Sequence, residues 1–200
     1  MTPDRRTAKG TLPHESDLAR AREALSAYQP RDVQQVEVRE RMLAFIAAHP
    51  DDAHLRTCLK GHLTAGVLLL DHAGERALLT LHRKLGRWLQ LGGHCDGDAN
   101  LAGVALREAT EESGIEGIAI ELEPFDLDIH TIPARKGEPE HEHLDVRFVA
   151  RAPRGARPMV SDESLALRWV APHELDDLDV DASVHRLFDL ILGGARPAPS

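Results

Sequence analysis

Aromatic side chains are scarce in this chain, with four Phe, two Trp and one Tyr among 200 residues. Few are therefore on hand to stack on a nucleobase. Trp88, Phe125, Phe148 and Trp169 all fall in strand-like runs, where a place in the core is the simpler expectation. Cysteine is scarcer still. Cys58 and Cys95 could form at most one disulfide, and a chain long enough to bury a proper core does not need one. A reducing cytosol is the expected setting. A basic excess is also missing. The formal net charge is −9, which argues against the basic face that non-specific nucleic-acid binding requires, so no nucleic-acid partner is expected. A small anionic substrate stays open, because a bound metal inverts the local field. Long apolar runs are absent too. The longest, residues 65–70 with Gly66 inside it, is far too short to span a bilayer. The opening "MTPDRRTAKGTLPHESD" has no apolar stretch resembling a secretory signal. The expectation is a soluble, cytoplasmic protein with no membrane partner.

What is present falls into blocks. Residues 1–14 are polar with two prolines and are expected to be a disordered tail. Ser16 is a plausible N-cap for a helix over residues 16–28, which "QPRD" interrupts. A second helix is expected over 32–48, with Val36, Met42, Leu43, Phe45 and Ile46 as its buried stripe. Residues 15–58 thus read as an N-terminal helical extension. From His62 the character changes. "HLTAGVLLLD" and "ERALLTLHR" around "DHAGE" predict a hairpin. A short strand follows at 88–91, then a central helix, then three strand-like runs, "IAIELEPFDLDIHTI", "LDVRFVARA" and "LALRWV". A last helix over 182–192 precedes the flexible end 194–200. Strands, a central helix, more strands and a final helix predict an α/β sandwich around a mixed sheet.

The central helix carries an anomaly. In "GGHCDGDANLAGVALREATEESGI", Glu108 and Glu112 repel across one turn. Two glutamates also stand at the C-terminal end, where the helix macrodipole disfavours carboxylates. At 100° per residue, Leu101, Ala102, Ala105, Leu106 and Ala109 share one apolar arc. Glu108, Glu111 and Glu112 gather at its edge, and Gly114 supplies the left-handed stop. A helix anchored by its apolar face thus presents clustered hard oxygen ligands at the core boundary. That suits Mg²⁺ or Mn²⁺, which would also relieve the repulsion. A solvated glutamate face is the competing reading of "REATEE" taken alone.

The wider spacing resembles the signature of the Nudix hydrolase family: Gly, five residues, Glu, seven residues, then Arg-Glu-apolar-x-Glu-Glu-x-Gly-apolar. Gly93 opens it, and Arg107, Glu108, Ala109, Glu111, Glu112, Gly114 and Ile115 complete it. The first glutamate position holds Ala99, with Asp96 and Asp98 nearby as substitutes. The resemblance implies a Nudix-type α/β/α sandwich over residues 59–193. It also implies hydrolysis of a diphosphate linkage, in a nucleoside diphosphate derivative or related organic diphosphate, by attack of water on phosphorus with Mg²⁺ or Mn²⁺. Carried over by position, Glu108 and Glu112 are implied metal ligands, with Glu111 a third ligand or neighbour of the base. Arg107 is implied to orient a ligating glutamate, and the Gly93 carbonyl is a further ligand. Family members commonly dimerise, which leaves a homodimer open.

Other assignments rest on less. The general base is a signature glutamate or one from a later loop, where Glu138, Glu140, Glu142 and Glu163 are candidates and Glu142 is the one taken forward. Arg83, Lys84 and Arg87 precede the strand at Trp88 and could contact phosphates. His141 and His143 share one strand face by their spacing, and a zinc site with His94 and Cys95 is conceivable. Two rivals remain. His62, His94, Glu140 and Glu142 resemble the metal set of isopentenyl diphosphate isomerase, although Gly92 stands where that enzyme has its cysteine. The other is a non-catalytic Nudix-like regulatory binder, which has no need for clustered carboxylates.

Overall fold

The structure, a computed structural model, describes residues 6–135, 137–161 and 164–193. The expected flexible end at 194–200 and the candidate Glu163 lie outside the described residues. Nine strands form one mixed sheet among them. They are β1 (Thr7–Lys9), β2 (Gly61–Leu70), β3 (Ala77–His82), β4 (Trp88–Leu89), β5 (Leu91–His94), β6 (Ala119–Glu121), β7 (Asp126–Ile132), β8 (His141–Arg151) and β9 (Ser164–Val170). The helices are α1 (Ala19–Ala27), α2 (Val33–Ala48), α3 (Leu101–Ser113) and α4 (Ala182–Ile191). No helix of the described residues is long and apolar enough to cross a membrane.

The central pair is β2 and β8, parallel and in register from Gly61↔Glu142 to Leu70↔Arg151. Every residue of β2 is buried, as a strand covered on both faces must be. Strand alternation then sorts the side chains. Leu63, Ala65, Val67 and Leu69 belong with Leu144, Val146 and Phe148 to a core shared with α1, α2 and α3. On the other face Leu68 and Leu70 join Val149 in a second core under α4. The sheet is therefore sandwiched between helices, and α3 and α4 lie on opposite sides.

Local chemistry explains the helix limits. Asp32 caps α2, its carboxylate accepting from the Gln35 N–H at 2.8 Å. Asn100 caps α3 by accepting from the Gly103 N–H at 3.3 Å, and Gly114, at φ 65°, ends it. Asp181 caps α4 through the N–H groups of Ser183 and Val184. The first helix starts two residues later than its Ser16 cap would place it, with Leu18 at the N-cap. Asp17 instead accepts from the Ala19 N–H at 2.8 Å. The expected stripe of α2 is partly displaced as well: Met42 and Ile46 are buried, but Val36 is 39% exposed while Gln35 is buried. Gln35 accepts from the Leu127 N–H and donates to the Leu127 carbonyl, so its amide extends the edge strand β7.

The expected disordered tail differs most. Its residues 1–5 lie outside the described ones, but Thr7–Lys9 pair antiparallel with β6. The chain then runs along the signature loop. The Ala99 N–H donates to the Glu15 carbonyl, the Glu15 N–H donates to Asp98, and Asn100 donates to the Pro13 carbonyl at 2.9 Å. A polar, proline-containing segment gives no periodic signal, and its order comes from these long-range bonds.

Candidate active site

A cleft of about 680 Å³ opens between the loop around β3 and β4, β5 and the side of α3. Gly92 and Gly93 on β5 form its floor, and α3 contributes Arg107, Glu108, Glu111 and Glu112. The apolar arc of α3 is buried against the sheet, and this turns the glutamates toward β5. The Glu112 carboxylate, 9% exposed, accepts from the Gly92 N–H at 2.9 Å. Glu108 lies against Gly93 so closely that a Cβ there would stand 2.7 Å from its carboxylate carbon. Glycine at this position leaves Glu108 the room its carboxylate occupies. Arg107 holds the arrangement from the side: its guanidinium bonds the Glu108 carboxylate at 3.1 Å and donates to the His94 carbonyl at 3.2 Å. Glu111 is exposed on the helix edge facing the cleft.

The signature loop shows how Ala99 is accommodated. Ala99 is fully buried beneath the N-terminal segment. Its neighbour Asp98, 5% exposed, receives the N–H groups of Glu15 and Asn100 and stands 3.9 Å from Arg107. Asp96 takes the Arg56 guanidinium in two bonds of 2.6 and 2.7 Å, which hold its carboxyl below the usual range.

Of the cations before β4, Arg83 and Lys84 line the cleft. Arg83 also donates to the Ser164 carbonyl at 3.2 Å. Arg87 is not among the lining residues and pairs with Asp179 at 3.4 Å. Glu142 is likewise not brought to the site. The alternation of β8 puts it on the opposite face from His143 and Asp145, where it pairs with Arg41 of α2 at 2.9 Å. Glu138 and Glu140 are exposed and also stand outside this cleft. The isomerase-like set is therefore not assembled: His62 and His94 meet, with ring centroids 5.0 Å apart, but Glu142 faces away.

Thr64, His130, His143 and Asp145, which the signature does not include, also line the cleft, and a buried network lies behind them. Register places Thr64 on β2, Asp145 on β8 and Asp128 on β7 side by side. Asp145 accepts from the Thr64 hydroxyl at 3.0 Å and from Arg147 at 2.8 Å. Arg147, 1% exposed, also pairs with Asp126 and Asp128, both at 3.1 Å. Those acids raise its pKa although burial alone would lower it. One rung further along these strands lies a row of histidines: His62 opposite His143, and His143 opposite His130. Burial pushes His94 down to about 4 and His143 to about 2, with charge from the neighbouring rings acting the same way. Cys95 is buried and its thiol is pushed up by desolvation, so it is no nucleophile or ready ligand.

The donor set fits a hard divalent cation. Two carboxylates and a glycine backbone converge on one wall, in a gap that only the missing Cβ leaves open.

The model of the family described as NUDIX domain matches residues 60–189. Among solved structures, an Ap4A hydrolase from C. elegans in a binary complex is 18% identical, with a TM-score of 0.54, over 66% of this chain and 96% of its own. The dihydroneopterin triphosphate pyrophosphohydrolase of E. coli is 16% identical, with a TM-score of 0.53, over 66% and 96%. A MutT protein from Methanosarcina mazei is 18% identical, with a TM-score of 0.50, over 68% and 97%. At such identities the likeness speaks for the fold. No curated protein matches the chain.

Proposed function

The chain belongs to the Nudix family, and from that premise we propose that it is a pyrophosphohydrolase, cleaving a diphosphate linkage in a nucleoside diphosphate derivative or related organic diphosphate, in the cytoplasm and with Mg²⁺ or Mn²⁺. Residues 59–193 are taken as the catalytic domain and 15–58 as an extension on it. The observation that carries the reading is the convergence of Glu108 and Glu112 on the Gly92–Gly93 backbone inside the cleft.

Glu108, Glu112 and the Gly93 carbonyl would hold the cation, with Glu111 beside them. Bound there, the cation would neutralise the diphosphate and make phosphorus more open to attack. Arg107 positions Glu108 through its 3.1 Å bond and fixes the loop through the His94 carbonyl. Arg83 and Lys84 on the opposite wall supply positive charge for the outer phosphate oxygens. Glu111 is exposed in the cleft, and in this reading it would take the proton from the attacking water. The water oxygen then bonds to phosphorus as the bridging P–O bond breaks.

The test is product release from a panel of diphosphate-linked compounds with Mg²⁺ or Mn²⁺, comparing wild type with Glu112→Gln. The amide oxygen can still accept from the Gly92 N–H, so the fold stays. Activity is expected to fall at least about a hundredfold. Wild type that binds ligand and metal but turns over nothing on the panel would replace hydrolysis with regulated binding.

A further inference from the structure

The histidine row answers to none of these roles. His62, His94 and His143 each offer a ring nitrogen, and the three nitrogens lie within 4.8 Å of one another. Their strands fix this: His62 pairs with His143 across β2 and β8, and His94 stands diagonally across from His62, opposite Thr64, on β5. His62 is 4% exposed, yet neither of its ring nitrogens has a hydrogen-bond partner. The Cys58 carbonyl lies near enough to favour a protonated ring without making a well-formed bond. A buried polar atom left without a partner is costly and calls for an explanation.

Two further histidines frame the three. The His141 ring centroid is 5.1 Å from that of His62, and His130 is 5.5 Å from His143. His141 Nδ1 bonds the Pro139 carbonyl, which can only accept, so the proton sits on Nδ1. His130 Nδ1 bonds the Asp128 carboxylate at 2.9 Å in the same sense. In the neutral ring both therefore carry the free lone pair on Nε2. Ring stacking alone would fill this space, but it would leave the His62 nitrogens unsatisfied.

We propose that His62, His94 and His143 form a second metal site, separate from the carboxylate site and selective for a borderline transition ion of the Zn²⁺ class. Imidazole suits Zn²⁺ and its neighbours, whereas Mg²⁺ takes oxygen. Tetrahedral zinc with nitrogen at about 2.0–2.1 Å sets its ligand atoms about 3.4 Å apart. Adjustments of about 1 Å in the side chains reach this from the observed spacing. Three protein ligands leave a fourth position; all three histidines line a neighbouring pocket of about 310 Å³, and His94 and His143 also line the cleft of the glutamates, so the site lies between the two. A water or an anionic substrate oxygen fills that fourth position.

The experiment uses the full chain, stripped with chelator and titrated with Co²⁺ in excess Mg²⁺, which keeps the carboxylate site filled. A single tight equivalent with the intense visible absorption of a four-coordinate nitrogen site is expected, displaced by Zn²⁺. His62→Gln and His143→Gln should each weaken Co²⁺ binding at least about tenfold, while Glu108→Gln keeps it. His143 is only half-buried, so its variant serves where His62→Gln fails to fold. Weak six-coordinate absorption in wild type would overturn the proposal. So would binding that survives His143→Gln, or binding that Glu108→Gln removes.

Discussion

The Glu108 carboxylate occupies the space that a side chain on Gly93 would need, its carboxylate carbon 2.7 Å from an ideal Cβ there. The obstructing group is the far end of a flexible side chain, so Gly93→Ala can be absorbed by swinging Glu108 aside. Stability should change by less than about 1 kcal/mol, while hydrolysis falls at least about tenfold because Glu108 leaves its place. Gly92→Ala makes the contrast. Gly92 has φ 149°, and its Cβ would meet the Ala65 carbonyl oxygen at 2.6 Å. Backbone cannot swing aside, so this variant should lose about 2 kcal/mol or more. Urea denaturation of both variants beside an activity assay decides the matter. Equal stability losses would mean that the two glycines serve the same purpose.

A second prediction concerns Arg147, which ties β7 and β8 to α4. Its guanidinium meets Asp126, Asp128 and Asp145, and also donates to the Ser183 hydroxyl at 3.1 Å. Arg186 of α4 closes the network on Asp126 at 2.9 Å. Arg147→Met would leave three carboxylates facing one another, two of them nearly inaccessible. A loss of about 3–5 kcal/mol is expected. Arg147→Lys should recover little of it, since a single ammonium cannot span three acids. Thermal melts would refute this if the lysine variant matched wild type.

These two sites show where the sequence could be read and where it could not. The signature made Gly93, Arg107, Glu108, Glu111 and Glu112 visible because helical spacing and a fixed loop length are local properties. The period-2 spacing of His141 and His143 was visible for the same reason. That His62 and His94 join them depends on the parallel register of β2 with β8 and the antiparallel register of β5. Register between distant strands leaves no mark in either strand alone. Arg147 was hidden likewise, because "LDVRFVARA" reads as an ordinary strand until three acids from β7 and β8 close around it. Glu142 failed as a site residue for a reason that alternation already contained. A residue next to His143 on a strand points to the opposite face.

The turn between β2 and β3 gives a pH prediction. Burial works against the Asp71 charge, but the Arg76 guanidinium and the N–H groups of Glu75, Arg76 and Gly74 outweigh it and hold its pKa below the ordinary 3.8. A carboxyl depressed in the folded state adds stability above its unfolded pKa and loses it as pH falls through its folded value. Asp71→Asn should therefore cost about 1 kcal/mol at neutral pH, since Arg76 is half-exposed and solvent weakens the pair. The gap to wild type should close below about pH 3.8. A gap that stays constant from pH 7 to pH 3 would mean that the charge contributes nothing.

The last prediction tests how the chain lives with Ala99 in its signature. Asp98 is the carboxylate that faces Arg107, at 3.9 Å, and one of its oxygens receives both the Glu15 N–H at 3.1 Å and the Asn100 N–H at 2.9 Å. It thus joins three things: the N-terminal segment, the start of α3 and the arginine that positions Glu108. Asp98→Ala strands two N–H groups beneath a buried loop and should cost about 1–3 kcal/mol. Asp98→Asn keeps an acceptor oxygen for both donors and should restore most of that stability. It removes the charge, however, so Arg107 loses one of its attractions. Activity in the asparagine variant should stay below wild type by roughly three- to tenfold even where its melting temperature has recovered. If stability and activity recover together, Asp98 acts through the loop alone, and Arg107 is held well enough by Glu108 and the His94 carbonyl.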